Sequence, residues 1–176
     1  MTLFWRGSHY LSNHHISFFI KDYTVYNCVE QYMMAKKATF FEDWDALVEI
    51  MKEDDPKKQK KLGRQVKGFI DWKWEAIARD VVYDGCWAKF SQSSDLGKKL
   101  LFETDMIIAE ASPYDTIWGI GCDEHQIEAT CPKLWRGKNW LGQVLMKIKE
   151  DIFIGSKDKD INWIKFEQHY LNVEGT

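Results

Sequence analysis

The run WEAIARDVVYDGCWAKF, residues 74 to 90, places Trp74, Ile77, Ala78, Val81, Val82, Cys86 and Phe90 along one stripe. Spacings of three and four match the 3.6-residue turn of an α-helix, and so broad an apolar face must be covered by other elements. The constraint is a multi-helix core, and the rest of the chain supplies the partners. NCVEQYMMAKKATFF reads as a helix with Asn27 as its expected N-cap. EDWDALVEIMKE follows with Trp44, Leu47, Val48 and Met51 at helical spacing, and DDPKKQKKLGRQVKGF sets Asp55 at an N-cap and Pro56 at the first helical position. SDLGKKLLFET and NWLGQVLMKIKEDIF are two further amphipathic helices, with the short β-prone run MIIAEA between them. Near the start, SFFI and YTVY are β-prone runs flanking Lys21 and Asp22, which predicts a hairpin.

The expected fold class is therefore mainly α (α+β): a single compact helical domain with a small N-terminal β-hairpin. At 176 residues the length suits one domain. We place it at residues 1–153, with 154–176, charged and aromatic, as a C-terminal extension that packs locally or frays. A chain of this size buries enough surface to fold without a disulfide or a metal.

Charge and cysteine usage exclude several classes. The formal charge of −3 argues against binding polynucleotide by bulk electrostatics. The lysines after Pro56 read as a solvated face, because Glu53, Asp54 and Asp55 directly precede them. Cys28, Cys86, Cys122 and Cys131 lack CxxC spacing, and no basic-then-apolar leader opens the chain, so reduced thiols in a cytoplasmic setting are expected. No apolar run approaches the ~20 residues of a membrane span. Aromatic content is 15%, with nine tryptophans; most of these rings are expected in the core, and several are left to line a pocket.

Two places carry candidate chemistry. Glu30, three residues beyond Asn27, would complete a capping box and complement the helix dipole. It also shares a helix face with Lys37 two turns on, where an acid and a base could flank an anionic substrate. In SPYDTIWGIG, Asp115 could form a turn and Trp118 could be core. Yet Gly119 and Gly121 allow close approach of backbone to a ligand, and WRGKNWLG repeats the mixture of ring, glycine and polar group, as a nucleotide-sized cleft would need. Cys122, His125 and Cys131 lack a suitably spaced fourth metal ligand. His14 and His15 are adjacent, point in different directions and are expected at the surface. No nucleophile elbow, P-loop or dinucleotide fingerprint is present in the sequence.

Taken in order, LSN (11–13), VEQYMMAKKA (29–38), LGR (62–64), Trp74, KF (89–90), EASPYDTIWGIG (110–121) and WRGKNWLGQVLM (135–146) resemble the NADAR family over roughly residues 4 to 153. That family includes N-glycosidases acting on riboflavin-biosynthesis intermediates and relatives that remove ADP-ribose from guanine. The resemblance implies Glu30 and Asp115 as an acidic pair and Trp74 and Trp118 as pocket rings, though Trp74 also opens an apolar stripe that suits core. It further implies Lys37, Ser12, Asn13, Gly119 and Asn139 as substrate-binding positions. It implies no metal, no organic cofactor and no protein partner. The segment CDEHQIEATCPKL separates the two glycine loops, where compact riboflavin-type members join them more directly. The implied substrate is thus a small ribosylamino-pyrimidine phosphate or ADP-ribosylated guanine in nucleotide or DNA. A non-catalytic ADP-ribose or NAD-binding module and a phosphate-dependent transferase are the alternatives.

Overall fold

Helix α1 (Val29–Phe40) has almost no polar face, because Val29 to Ala35, Lys37 and Ala38 are all buried. A helix buried all round must lie inside a layer of other elements, and three helices pack on it: α2 (Trp44–Lys52), α3 (Pro56–Gly63) and α4 (Asp71–Gln92). Close approach is possible because glycines face it. A Cβ on Gly63 would lie 1.9 Å from Met34 Sδ, and one on Gly85 would lie 2.8 Å from Tyr32 Cδ1. Strands β2 (Phe19–Lys21) and β3 (Thr24–Tyr26) form an antiparallel hairpin whose Phe19 and Tyr26 meet Tyr32 at centroid distances of 6.1 and 5.0 Å.

These are features of a computed structural model that describes residues 1–158 and 160–172. The chain divides into two compact units, Arg6–Lys98 and Met1–Trp5 with Lys99–Thr176. The first unit contains the hairpin and α1 to α4. Helix α5 (Ser94–Leu101) carries the chain across the boundary.

In the second unit, strand β1 (Thr2–Phe4) pairs in parallel with β4 (Ile108–Glu110), Leu3 opposite Ala109. Helix α6 (Trp140–Ile154) packs on β4. Gly142 is required there, since a Cβ would meet Ile108 O at 2.1 Å. Short 3-10 turns at Ile127–Thr130 and Pro132–Leu134 interrupt the connection to α6. Trp135 packs on a cluster of Ala109, Ala111, Ile120, Cys122 and Ala129, and its indole donates to Ala129 O at 3.0 Å.

The mainly α (α+β) class is as the helical periodicities lead one to expect, and Asp55 and Pro56 do start α3. Two local expectations are corrected, and two elements are added. The N-cap of α1 is Cys28, whose Sγ accepts from Gln31 N, because the Asn27 side chain is drawn away to Asp54 O and Gln59. The hairpin turn lies at Asp22 and Tyr23, one residue later than read, because Lys21 pairs with Thr24. Both turn residues take positive φ, 51° and 61°, as a two-residue turn that follows the strand twist requires. Strand β1 is too short at three residues to show alternation in sequence. The tail contains α7 (Trp163–Asn172), with Trp163 buried; residues 159 and 173–176 of the expected extension lie outside the described residues.

Candidate functional site

With Cys28 as the cap, Glu30 is the second residue of α1 and Gln31 the third. Gln31 therefore performs the reciprocal bond expected of the glutamate: its Oε1 accepts from Asn27 N at 2.8 Å, while its amide donates to Ile50 O and Glu53 O. The capping-box reading of Glu30 is overturned, and its carboxylate is released for other contacts. Its side chain is 5% exposed, and Oε2 stands 3.4 Å from His14 Nε2. Oε1 is sealed from solvent with no hydrogen-bond partner among the described residues. Buried polar atoms are almost always paired, and leaving one unpaired costs about 1–3 kcal/mol, more for a charge. A fold that leaves Oε1 buried and unpaired among the described residues, at the positive end of a helix, has a carboxylate able to take a donor or cation brought to it.

The turn before the hairpin packs against this helix start. Asn13 O accepts from Glu30 N at 2.9 Å, and Asn13 Oδ1 accepts from the Cys86 thiol. Ser12 Oγ accepts from His14 N at 3.1 Å. Beneath the turn lies Lys89, 1% exposed, its ammonium donating to Tyr10 O at 2.7 Å and Ser12 O at 2.9 Å. Burial lowers its pKa to about 8, opposed by Cys86 and Cys28. The same burial pushes both thiols up to about 12, so neither is a ready nucleophile near neutral pH.

Lys37 lies on the same helix, about 10 Å along its axis from Glu30. It is buried, with Nζ 3.8 Å from the centroid of the Phe69 ring. Desolvation lowers its pKa, while the Asp71 and Glu30 carboxylates act in the opposite sense. Trp74 on α4 is buried, its ring tilted against Phe40 at 6.4 Å.

The second unit gathers the other four expected positions. Asp115 Oδ1 accepts from Ile117 N at 3.0 Å and Trp118 N at 2.8 Å, which makes it the closure of a tight turn. Trp118 is half-buried and edge-on to Trp140 at 5.7 Å. A Cβ on Gly119 would come within 2.8 Å of Glu110 O. Asn139, at φ 51°, donates through Nδ2 to Ile108 O and accepts at Oδ1 from Glu110 N, so its amide bolts α6 to β4. The first amides of α6 are also spent, Trp140 N on Ile117 O and Leu141 N on Trp118 O.

Ser12, Asn13 and Glu30 thus form one contiguous group in the first unit, with Lys37 in electrostatic reach. Asp115, Trp118, Gly119 and Asn139 form another in the second. Two contributors were not singled out from sequence. His14 was expected at the surface, but its imidazole is only 23% exposed, because the turn folds back on α1. Lys89 belonged to a familiar motif without a role; a lysine inside an apolar helical stripe was the available signal.

The fold and the buried acid define a mainly helical α+β protein with a carboxylate at the head of its central helix. The NADAR domain matches residues 3–153, and the chain belongs to that family. It is similar to protein irg-1 of Caenorhabditis elegans, at 40% identity over 131 residues, 73% of this chain and 61% of that protein. The match thus spans less than two thirds of the nematode protein. It is also similar to an N-glycosidase of Acanthamoeba polyphaga mimivirus, at 44% identity over 131 residues, 74% of this chain and 77% of the viral one. In fold it resembles the NMR structure of the Escherichia coli protein YbiA, with a TM-score of 0.71 at 24% identity over 92% of this chain and 90% of that one.

Proposed function

We propose that this chain is an N-glycosidase that hydrolyses a ribosyl C1–N bond in a nucleotide-type substrate, with Glu30 as the carboxylate beside C1. The observation that carries this reading is the sealed and unpartnered Glu30 Oε1. As the C1–N bond breaks, its electron pair leaves with the base and positive charge develops on the sugar. Water then adds its hydroxyl to C1 and its proton ends on the departing nitrogen or on solvent, as in glycoside hydrolysis. A carboxylate about 4 Å from a full positive charge stabilises it by roughly 4 kcal/mol at an effective dielectric near 20, or about three decades of rate. A ring stack contributes only about 0.5–1.5 kcal/mol, which suits binding and orientation.

Asp115 is the proposed second acid, orienting ribose hydroxyls, water or the leaving base. Lys37, Ser12, Asn13, Trp74, Trp118, Gly119 and Asn139 are the proposed binding positions. The leaving group is ADP-ribosylated guanine's base or the pyrimidine of a ribosylamino-pyrimidine phosphate. The name of the viral relative supports the bond type, and the motif resemblance supports both substrates.

The test is mass spectrometry of products from wild type and Glu30→Gln, incubated separately with ADP-ribosylated guanine DNA and with a ribosylamino-pyrimidine phosphate. Cleavage by wild type alone, freeing ADP-ribose from the DNA or the aminopyrimidine from the sugar phosphate, is expected and names the substrate. Equal release by Glu30→Gln overturns the assignment of Glu30. No release from either substrate, with ADP-ribose still bound, makes the chain a recognition module.

A further inference from the structure

The geometry points to His14 as the positioning residue for Glu30, holding one carboxylate oxygen so that the other is kept unpaired for substrate. This inference rests on the reading of Glu30 as the acting carboxylate. The two oxygens have opposite surroundings: Oε2 is 3.4 Å from His14 Nε2, and Oε1 has no partner among the described residues. Without the imidazole, the carboxylate could rotate about its last side-chain bond, a broad and nearly two-fold torsion. The orientation in which Oε1 is presented would then be one of several.

His14 is itself built in from three directions. Its backbone N–H donates to Ser12 Oγ at 3.1 Å. Its Cβ packs where Gly7 has none, since a Cβ on Gly7 would lie only 3.1 Å away. The carbonyl of Ser12 is pinned from below by the buried Lys89 ammonium at 2.9 Å. The same turn is tied to α1 through Asn13 O and Glu30 N, so the imidazole and the carboxylate share one rigid support. Histidine suits the task because its Nε2 carries a proton to donate in the cationic form and in one neutral tautomer. An orienting contact of this kind adds no chemistry of its own; it removes wrong geometries, and small misplacements are costly in rate.

The test compares His14→Phe, which keeps a ring of similar bulk, with His14→Gln, which restores a donor at similar reach. For the substrate that wild type cleaves, His14→Phe is expected to lower kcat about 10- to 100-fold with KM changed much less, and His14→Gln to recover most of that loss. Both should melt with wild type. Unchanged kcat in His14→Phe, or equal losses in the two variants, overturns the inference while leaving the glycosidase reading intact. A second measurement does not depend on turnover. Proton–nitrogen NMR of the imidazole should show a proton on Nε2 of His14 that exchanges slowly in wild type and rapidly in Glu30→Ala. Rapid exchange in both proteins overturns the inference, whichever substrate is cleaved.

Discussion

At the level of single residues, burial disfavours the charged forms of Cys28, Cys86 and Lys89, and thiol and amine respond to pH in opposite senses. Lys89 is lowered from 10.5 to about 8. Between those values the unfolded chain binds more protons, so this residue makes stability rise with pH. Cys86 is raised from 9.0 to about 12. The folded chain keeps a proton that the unfolded chain loses, so its contribution is full below about pH 9 and is lost as pH rises toward 12. In reducing buffer, wild type should therefore lose about 2 kcal/mol relative to Cys86→Ala between about pH 9 and pH 11, read from urea unfolding at each pH. Parallel stability curves would show that the thiol is not held protonated by the fold. At this scale the acid itself was legible: Glu30 stood out by its place near a helix start. Its partner was not, because adjacency of His14 and His15 says nothing about which ring turns inward.

Among the elements, α1 depends on glycines in its neighbours more than on its own propensity. Gly85→Ala should gain up to about 1 kcal/mol in intrinsic helix preference. Against that, the new Cβ meets Tyr32 Cδ1 at 2.8 Å and Val29 Cγ1 at 3.2 Å. Tyr32 cannot yield freely, being edge-on to Tyr26 at 5.0 Å and to Phe19 at 6.1 Å. Overpacking costs about 1–3 kcal/mol, and with Tyr32 unable to yield the cost falls at the upper end, so net destabilisation of about 2 kcal/mol is expected in urea titration. A variant as stable as wild type would mean that α1 and α4 can separate slightly without loss. The helices were legible because period and caps are local; Asp55 and Pro56 announced α3 without help. The hairpin turn was read one residue early, since nothing in Lys21 or Asp22 reveals that Lys21 pairs with Thr24.

On the scale of the whole chain, the charge of −3 bears on which substrates are approached. A protein that tracks many backbone phosphates loses about 10³–10⁵ in affinity between roughly 50 and 200 mM salt. Here the KM for an oligonucleotide carrying one ADP-ribosylated guanine should change less than about threefold over that range. A steep rise would reveal an extended polynucleotide contact and narrow the substrate to DNA. No helix among the described residues is long and apolar enough to cross a membrane, which agrees with the absence of any long apolar run.

The amino-acid order alone was enough for the helical series, the hairpin, the family resemblance and the candidacy of Glu30, because each is written in spacings of a few residues. The surroundings of Glu30 were decided by contacts between distant parts of the chain. The Asn27 side chain goes to Asp54 O and Gln59 instead of capping, Gln31 takes over the reciprocal bond, and the Ser12–His14 turn, held by Lys89, brings the His14 imidazole to 3.4 Å from the carboxylate. Similarly, Asn139 reads as the start of a helix and a binding position until β4 claims both ends of its amide. Local pattern sets which groups are polar and where an element begins; which of those groups stays unpaired depends on every neighbour that could have satisfied it.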